Sequence, residues 1–326
     1  RSHFGSRMAK PVPVITFKEI PERSIVFNSS DDSSPDSCPK CQRVRAIKYA
    51  SVWHDESADI SPEDIEVDQG WTCSNPRVQK VTMRATGKLF TQTTLRSFNK
   101  TDQERMMNEI SHLACMEQCP NLAQYFGGLT LEPLGSRPVY ALSEFMDLGS
   151  VEDLMKRCGD GLAVPPDIVA CIARQTLIGL DHLHSKQLRH GDLNPHHVFH
   201  DSKGWVKLTH FGITRDWGHA PSMRTYLSPE LWQGDDYSSA VEIWSAGMLL
   251  HEVAAGRHPF EDVASFPELL DRVCNTPEPR LDPHAFPPAM CDFLAQCLTR
   301  ALRPQDGRPT APEPQVPAHV MVQSLA

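Results

Sequence analysis

The chain has no long hydrophobic run, no dense set of cysteines and no excess of basic charge, and each shortage removes a class of protein. Its apolar stretch Trp244-Ser-Ala-Gly-Met-Leu-Leu250 is stopped by His251 and Glu252, well short of the ~20 residues a membrane-spanning helix needs. No secretory signal pattern opens the chain, and the opening RSHFGSRM reads as an expression remnant without functional weight. The ten cysteines are scattered from Cys38 to Cys297, unlike those of a small disulfide scaffold, so reduced thiols and a cytoplasmic location, or a nuclear one, are expected. A formal net charge of −9 and a pI near 5.9 lack the concentrated basic face of a nucleic-acid binder. Partners are therefore expected to be proteins, with no nucleic acid and no membrane.

At 326 residues, with 40% hydrophobic and 22% charged residues, the chain is long enough for a globular unit of roughly 250 to 300 residues with a tail. Residues 1–60, rich in Pro, Ser and Asp, read as a disordered leader, 61–314 as the folded unit and 315–326 as a tail. Within the leader, Cys38-Pro-Lys-Cys41 has no second ligand pair at a zinc-finger spacing, so two free thiols are expected there.

From Ile65 to Thr93 the pattern suggests three strands of a small antiparallel sheet. Val78, Val81 and Met83 share a strand, and the turn through Arg84-Ala-Thr-Gly87 leads to Phe90. Thr101-Asp-Gln-Glu104 reads as a capping box before a helix bearing Met106, Ile110, Leu113 and Glu117. Asp167 to His184 is a second strongly periodic helix.

The stretch Leu188–Glu230 resembles the catalytic loop, metal-binding turn and activation segment of a eukaryotic protein kinase with its chemical residues exchanged. His190-Gly191-Asp192 stands for H-R-D, with His197 in the Asn place, and His210-Phe211-Gly212 stands for D-F-G. The resemblance covers about residues 62–312 and is most similar in pattern to MAP kinase kinases, which are dual-specificity kinases. It is carried further by Glu144-Phe-Met-Asp-Leu-Gly-Ser150, Thr225-Tyr-Leu-Ser-Pro-Glu230, Val241-Glu-Ile-Trp-Ser-Ala-Gly247 and Gly256-Arg-His-Pro-Phe260. It implies an α+β, bilobal protein kinase-like fold: a small antiparallel β-sheet N-lobe with an αC helix (about 61–143) and a mainly α-helical C-lobe (about 147–314). It also implies a hinge at Ser143, Glu144, Phe145 and Met146, with Ser143 in the gatekeeper place. Glu109 would stand where the αC glutamate does, and Arg308 would pair with Glu230. A buried pair of that kind broken on one side costs roughly 3 to 5 kcal/mol, so the presence of both partners implies a large lobe built as in a kinase. His190 and Phe211 resemble members of the apolar column that joins the lobes.

The chemical positions depart from this pattern. Trp71, Cys73 and Pro76 fall where the phosphate-binding glycines would be; Thr93 takes the place of the phosphate-pairing lysine, and Asn194 that of the catalytic-loop lysine. Lys88 and Lys100 are the candidates for a substitute cation. Only Asp192 remains of the transfer machinery, with a loop-structuring role expected, and Gly191 lacks the arginine that grips a phosphorylated activation segment. Neither ATP nor Mg2+ is expected, and no metal is, with His197 and His210 as weak candidates for a site of the Zn2+ or Ni2+ kind. The expected function is that of a pseudokinase, a scaffold or allosteric regulator in a protein kinase or MAP kinase pathway. Lys10-Pro-Val-Pro-Val-Ile15 resembles the docking peptides through which MAP kinase kinases engage a MAP kinase. An atypical active kinase or ATP-binding protein, and a metal- or pH-responsive module built on the histidines, are the alternatives.

Overall fold

The structure, a computed structural model, describes residues 52–53, 64–130, 138–159, 161–211, 221–234, 238–300, 317–318 and 320–321. Gly212, Arg308, Lys10–Ile15, Cys38 and Cys41 lie outside the described residues, and with them the proposed Glu230–Arg308 pair.

Strands β1 (Val52–Trp53), β2 (Ile65–Val67), β3 (Val78–Met83), β4 (Leu89–Leu95), β5 (Tyr125–Thr130) and β6 (Val139–Glu144) form one antiparallel sheet in the order β1-β5-β6-β4-β3-β2. The three strands expected between Ile65 and Thr93 are β2, β3 and β4. Val52–Trp53, inside the segment assigned to the leader, pair with Gly128 and Gly127 at the sheet edge, so the folded unit begins before residue 61. One sheet face buries Val81, Phe90, Leu129 and Leu142. The other carries helix α1 (Lys100–Cys115), which buries Met106, Met107 and Ile110. That helix lies so close that a Cβ on Gly128 would meet the Ile110 and Met107 side chains at 3.0 to 3.2 Å. The helix cap differs from expectation: Asn99, not Thr101, accepts the Asp102 N–H at 2.9 Å, and Asp102 reaches back to the Phe98 N–H at 3.1 Å. An asparagine in extended conformation presents its carbonyl to the free amides of the first turn without competing for the helix. Glu117 falls beyond the helix end and pairs with Lys186 at 2.9 Å.

The large lobe is helical, with α2 (Val151–Cys158), α3 (Pro166–Ser185), α4 (Pro229–Trp232), α5 (Ser239–Ala255), α6 (Phe266–Asn275) and α7 (Pro288–Cys297). Helix α5 buries residues almost all round, Trp244 and Glu242 included, as expected of a helix in the middle of a core. A two-stranded hairpin, β7 (Val198–His200) with β8 (Val206–Leu208), lies under the sheet. One apolar core runs from Met106 and Ile110 of α1 through Tyr125 and Phe211 to Leu180 and Leu249. The lobes therefore share packing as well as a hinge.

The hairpin that carries the site is held by amides. The Asn121 amide donates to Gln175 Oε1 and to the Val206 carbonyl, each at 2.9 Å. Gln175 accepts the Val206 N–H at 2.9 Å and donates to the Gly204 carbonyl at 3.1 Å. Each buried group left unpaired costs roughly 1 to 3 kcal/mol. Gln175→Ala should therefore lower stability by about 3 kcal/mol in urea unfolding. A loss below about 0.5 kcal/mol would show that the network does not hold the hairpin.

Candidate functional site

The cleft lies between β3–β4, the segment 143–146 and the loop from His190 to Phe211. The register of β4 places Thr93 opposite Val78 on one side and Ala141 on the other. Its hydroxyl lies 3.0 Å from His210 Nε2. The Thr209 hydroxyl donates to the His197 carbonyl at 3.0 Å and lies 2.7 Å from His210 Nδ1. With its proton already given away, Thr209 accepts from Nδ1–H, which leaves Nε2 as the acceptor for the Thr93 hydroxyl. Burial, together with the neighbouring His197 and His190, holds His210 well below the usual histidine pKa, so the imidazole is neutral. His210 takes a left-handed φ of 62°, a region in which histidine is less disfavoured than most residues, and its N–H donates to the Tyr125 hydroxyl at 2.9 Å.

His197 Nδ1 lies 2.7 Å from the Asp192 carbonyl, which can only accept, so His197 carries its proton there. Its ring is 4.5 Å from that of His210 and 6.2 Å from that of His190. Asn194 binds its own loop: Nδ2 donates to the Asp192 carbonyl and to Asp192 Oδ1, and Oδ1 accepts the His196 N–H. Asp192 is thus engaged within the loop. Gly191 adopts φ 86° and donates its N–H to Glu242 Oε1 at 2.8 Å, while His184 Nε2 holds the other oxygen at 2.6 Å. Glu242, a buried acidic residue in a largely apolar helix, is a site residue that motif spacing alone does not mark. Phe211 packs edge-on against Tyr125 with 5.4 Å between ring centres; buried His190, pushed down to about 4 by burial, has its ring centre 6.5 Å from that of Phe211. Glu109 is half-buried on α1 and has a partner.

At the hinge end the Thr91 hydroxyl donates to the Glu144 carbonyl at 3.1 Å, and Lys207 Nζ binds both Glu144 carboxylate oxygens at 2.8 and 2.7 Å. Val78, Met146 and Phe199 pack together with Trp71, Cys73 and Trp205, and Trp71 meets Phe145 edge-on at 5.5 Å. Ser143 is buried in register with Thr91 and Tyr125. Neither substitute lysine enters: Lys88 sits over the Phe90 and Phe126 rings, and Lys100 pairs with Glu104 on the exposed face of α1. Among the described residues no cluster of three or more His, Cys, Asp or Glu could hold a metal ion, and none of their helices is long and apolar enough to cross a membrane.

Residues 74–316 match the family model of the protein kinase domain. Over 241 residues the chain is 29% identical to mitogen-activated protein kinase kinase 1 of Arabidopsis thaliana, covering 70% of this chain and 66% of that one. Over 275 residues it is 27% identical to a mitogen-activated protein kinase kinase of Pyricularia oryzae, covering 78% and 64%. A serine/threonine-protein kinase of Dictyostelium discoideum, pakE, is 30% identical over 191 residues, 56% of this chain and 20% of that one. The chain thus matches less than two thirds of the length of each of these relatives.

These matches correct one expectation. A protein kinase moves a phosphoryl group from ATP with the help of Mg2+, so the expectation that neither belongs to this chain is overturned by the family match and by relatives named as kinases. The residues fit the pair in part. Val78, Met146 and Phe199 with the backbone of 143–146 would hold the purine, and ATP when bound supplies the transferable phosphoryl group. At the cation end Asp192 offers oxygen, whereas His197 and His210 offer nitrogen, the donor preferred by Zn2+ over Mg2+.

The buried imidazoles set a pH dependence. Burial lowers His190 and His200 from 6.5 to about 4, and also holds His210 well below the usual histidine value. The unfolded chain takes up these protons near pH 6.5 and the folded chain does not. Stability is therefore full above pH 6.5 and lost as pH falls towards 4, by up to about 1.4 kcal/mol per pH unit for each imidazole. Glu252, raised by burial from 4.5 to about 7, binds a proton on folding and opposes the trend, one carboxyl against several imidazoles. Urea midpoints should fall from pH 7 to pH 5, and His210→Ala should flatten the fall. Midpoints that rise over that range would contradict this balance.

Proposed function

Because the chain belongs to the protein kinase domain family, we propose that it works as a kinase-fold regulator without phosphoryl transfer, a pseudokinase that binds a protein kinase partner in a MAP kinase pathway. The observation that carries this is the neutral hydrogen bond between Thr93 and His210, at the two places where the family resemblance puts a lysine and a metal-binding aspartate. Phosphoryl transfer depends on neutralising triphosphate charge as it shifts. A hydroxyl and an uncharged imidazole supply none of that charge, and Lys88 and Lys100 face elsewhere. Removing a single positioned electrostatic donor costs an enzyme roughly 100- to 1000-fold in rate, and here several are exchanged together.

The parts that hold the fold are retained. Glu242 anchors Gly191, Tyr125 and Phe211 join the lobes, and α5 fills the core. Such a chain keeps a stable surface for a partner while its cleft serves as a binding site. The kinship with mitogen-activated protein kinase kinases supports a kinase partner, and Lys10–Ile15 is the segment we assign to docking it.

The test is transfer of γ-labelled phosphate from ATP with Mg2+, and separately with Mn2+, to a MAP kinase made inactive by substitution. Incorporation by the wild-type chain should equal that of Asp192→Asn, at background. Incorporation that Asp192→Asn abolishes would establish an active enzyme and end the proposal.

A further inference from the structure

The loop 68–77 joins β2 to β3 at the place where a phosphate-binding loop would lie, and Gly70 is its single glycine. It is held in shape from within: Asn75 Oδ1 accepts the Arg77 N–H at 3.0 Å and the Asn75 carbonyl accepts the Val78 N–H at 3.1 Å. Its tip reaches the opposite lobe. The Ser74 N–H donates to Asp153 Oδ1 at 2.6 Å, and Ser74 Oγ lies 3.0 Å from Ser150 Oγ and 3.3 Å from His196 Nδ1.

Ser150 and Asp153 are the capping box of α2. Ser150 gives its N–H and its hydroxyl proton to Asp153 Oδ2, at 2.8 and 2.7 Å, and accepts the Asp153 N–H at 3.2 Å. With that hydroxyl proton spent, the proton between the two serines is that of Ser74, which donates to Ser150. The cap of a large-lobe helix thus accepts two protons from a small-lobe loop, one of them at a carboxylate, where hydrogen bonds are stronger. The same loop lays Trp71 and Cys73 on Val78, Met146 and Phe199, and Trp71 on Phe145. Burial pushes the Cys73 thiol up to about 11, so it stays protonated and apolar there.

We propose that this loop is a strap, fastened by Ser74 to the α2 cap, that closes the nucleotide end of the cleft in the unliganded protein and must release before a purine nucleotide enters. This rests on the cleft being a binding site, as set out above. A site open for only a fraction of the time binds with its affinity reduced by that fraction, so loosening the strap tightens binding without adding a contact to the ligand.

The test uses the full chain as wild type, Ser74→Ala and Asp153→Asn. Hydrogen exchange of amides 71–78 reports the strap, exchange across α2 shows that the helix persists, and calorimetric titration with ATP, with and without Mg2+, reports entry. In both variants loop exchange should accelerate roughly tenfold and ATP should bind roughly tenfold more tightly, a change of about 1.4 kcal/mol. Wild-type loop amides that exchange as fast as those of the variants would overturn the strap, and so would an ATP affinity that neither variant moves. Phosphate transfer measured on the same samples separates the two proposals: transfer by the wild type removes the pseudokinase assignment and leaves the strap to be judged by exchange and affinity.

Discussion

The hydrogen bond from Thr93 to His210 joins the sheet of the small lobe to the loop that carries the site, and the geometry around it depends on it. His210 can accept that bond only as the neutral Nδ1–H tautomer, which the hydroxyl of Thr209 imposes because its own proton is spent on the His197 carbonyl. The left-handed backbone at His210 and its N–H bond to Tyr125 set the ring in place. His197, Thr91 and Ser74 then repeat one theme, in which a polar atom lining the cleft is satisfied by another atom of the same chain.

Charge explains why the exchange at these positions is coherent. A cation and a carboxylate facing each other in a buried cleft support one another, and removing one partner alone leaves an uncompensated charge at a cost of roughly 3 to 5 kcal/mol. Here both positions are uncharged, and the pair is a hydroxyl with an imidazole, whose net worth is nearer 1 kcal/mol. Asn194 is likewise a loop-binding group, joining Asp192 to His196. The Asp192 carboxylate is held by that asparagine. The chain therefore has the architecture of its family, with an uncharged hydrogen bond between Thr93 and His210 in its cleft and apolar walls at Val78, Met146 and Phe199.

Much of this was legible in the sequence because helical periods and motif spacings are local or fixed by the fold. Helices α3 and α5 and the strands between Ile65 and Thr93 follow from such patterns. The Thr93 register needed the strand pairing to Val78 and Ala141 to become definite. The cap of α1 was misplaced by two residues because a capping-box pattern at Thr101 competes with a better acceptor at Asn99. The β1 pairing went unseen because two residues carry no period. The reach of Ser74 to Asp153, 79 residues away, has no local signature at all. Exchanged ligand residues do not by themselves imply a missing cofactor, and kinship with kinases across residues 74–316 corrects that expectation, since a cleft can keep its purine walls while changing its charged groups.

The most direct test of this account is a double-mutant cycle in urea unfolding with Thr93→Val, His210→Ala and the two combined. A hydrogen bond that bridges the lobes predicts a coupling of about 1 kcal/mol between the two positions. A coupling within about 0.3 kcal/mol of zero would mean that the two side chains act independently and that the cleft is not closed by its own hydrogen bonds.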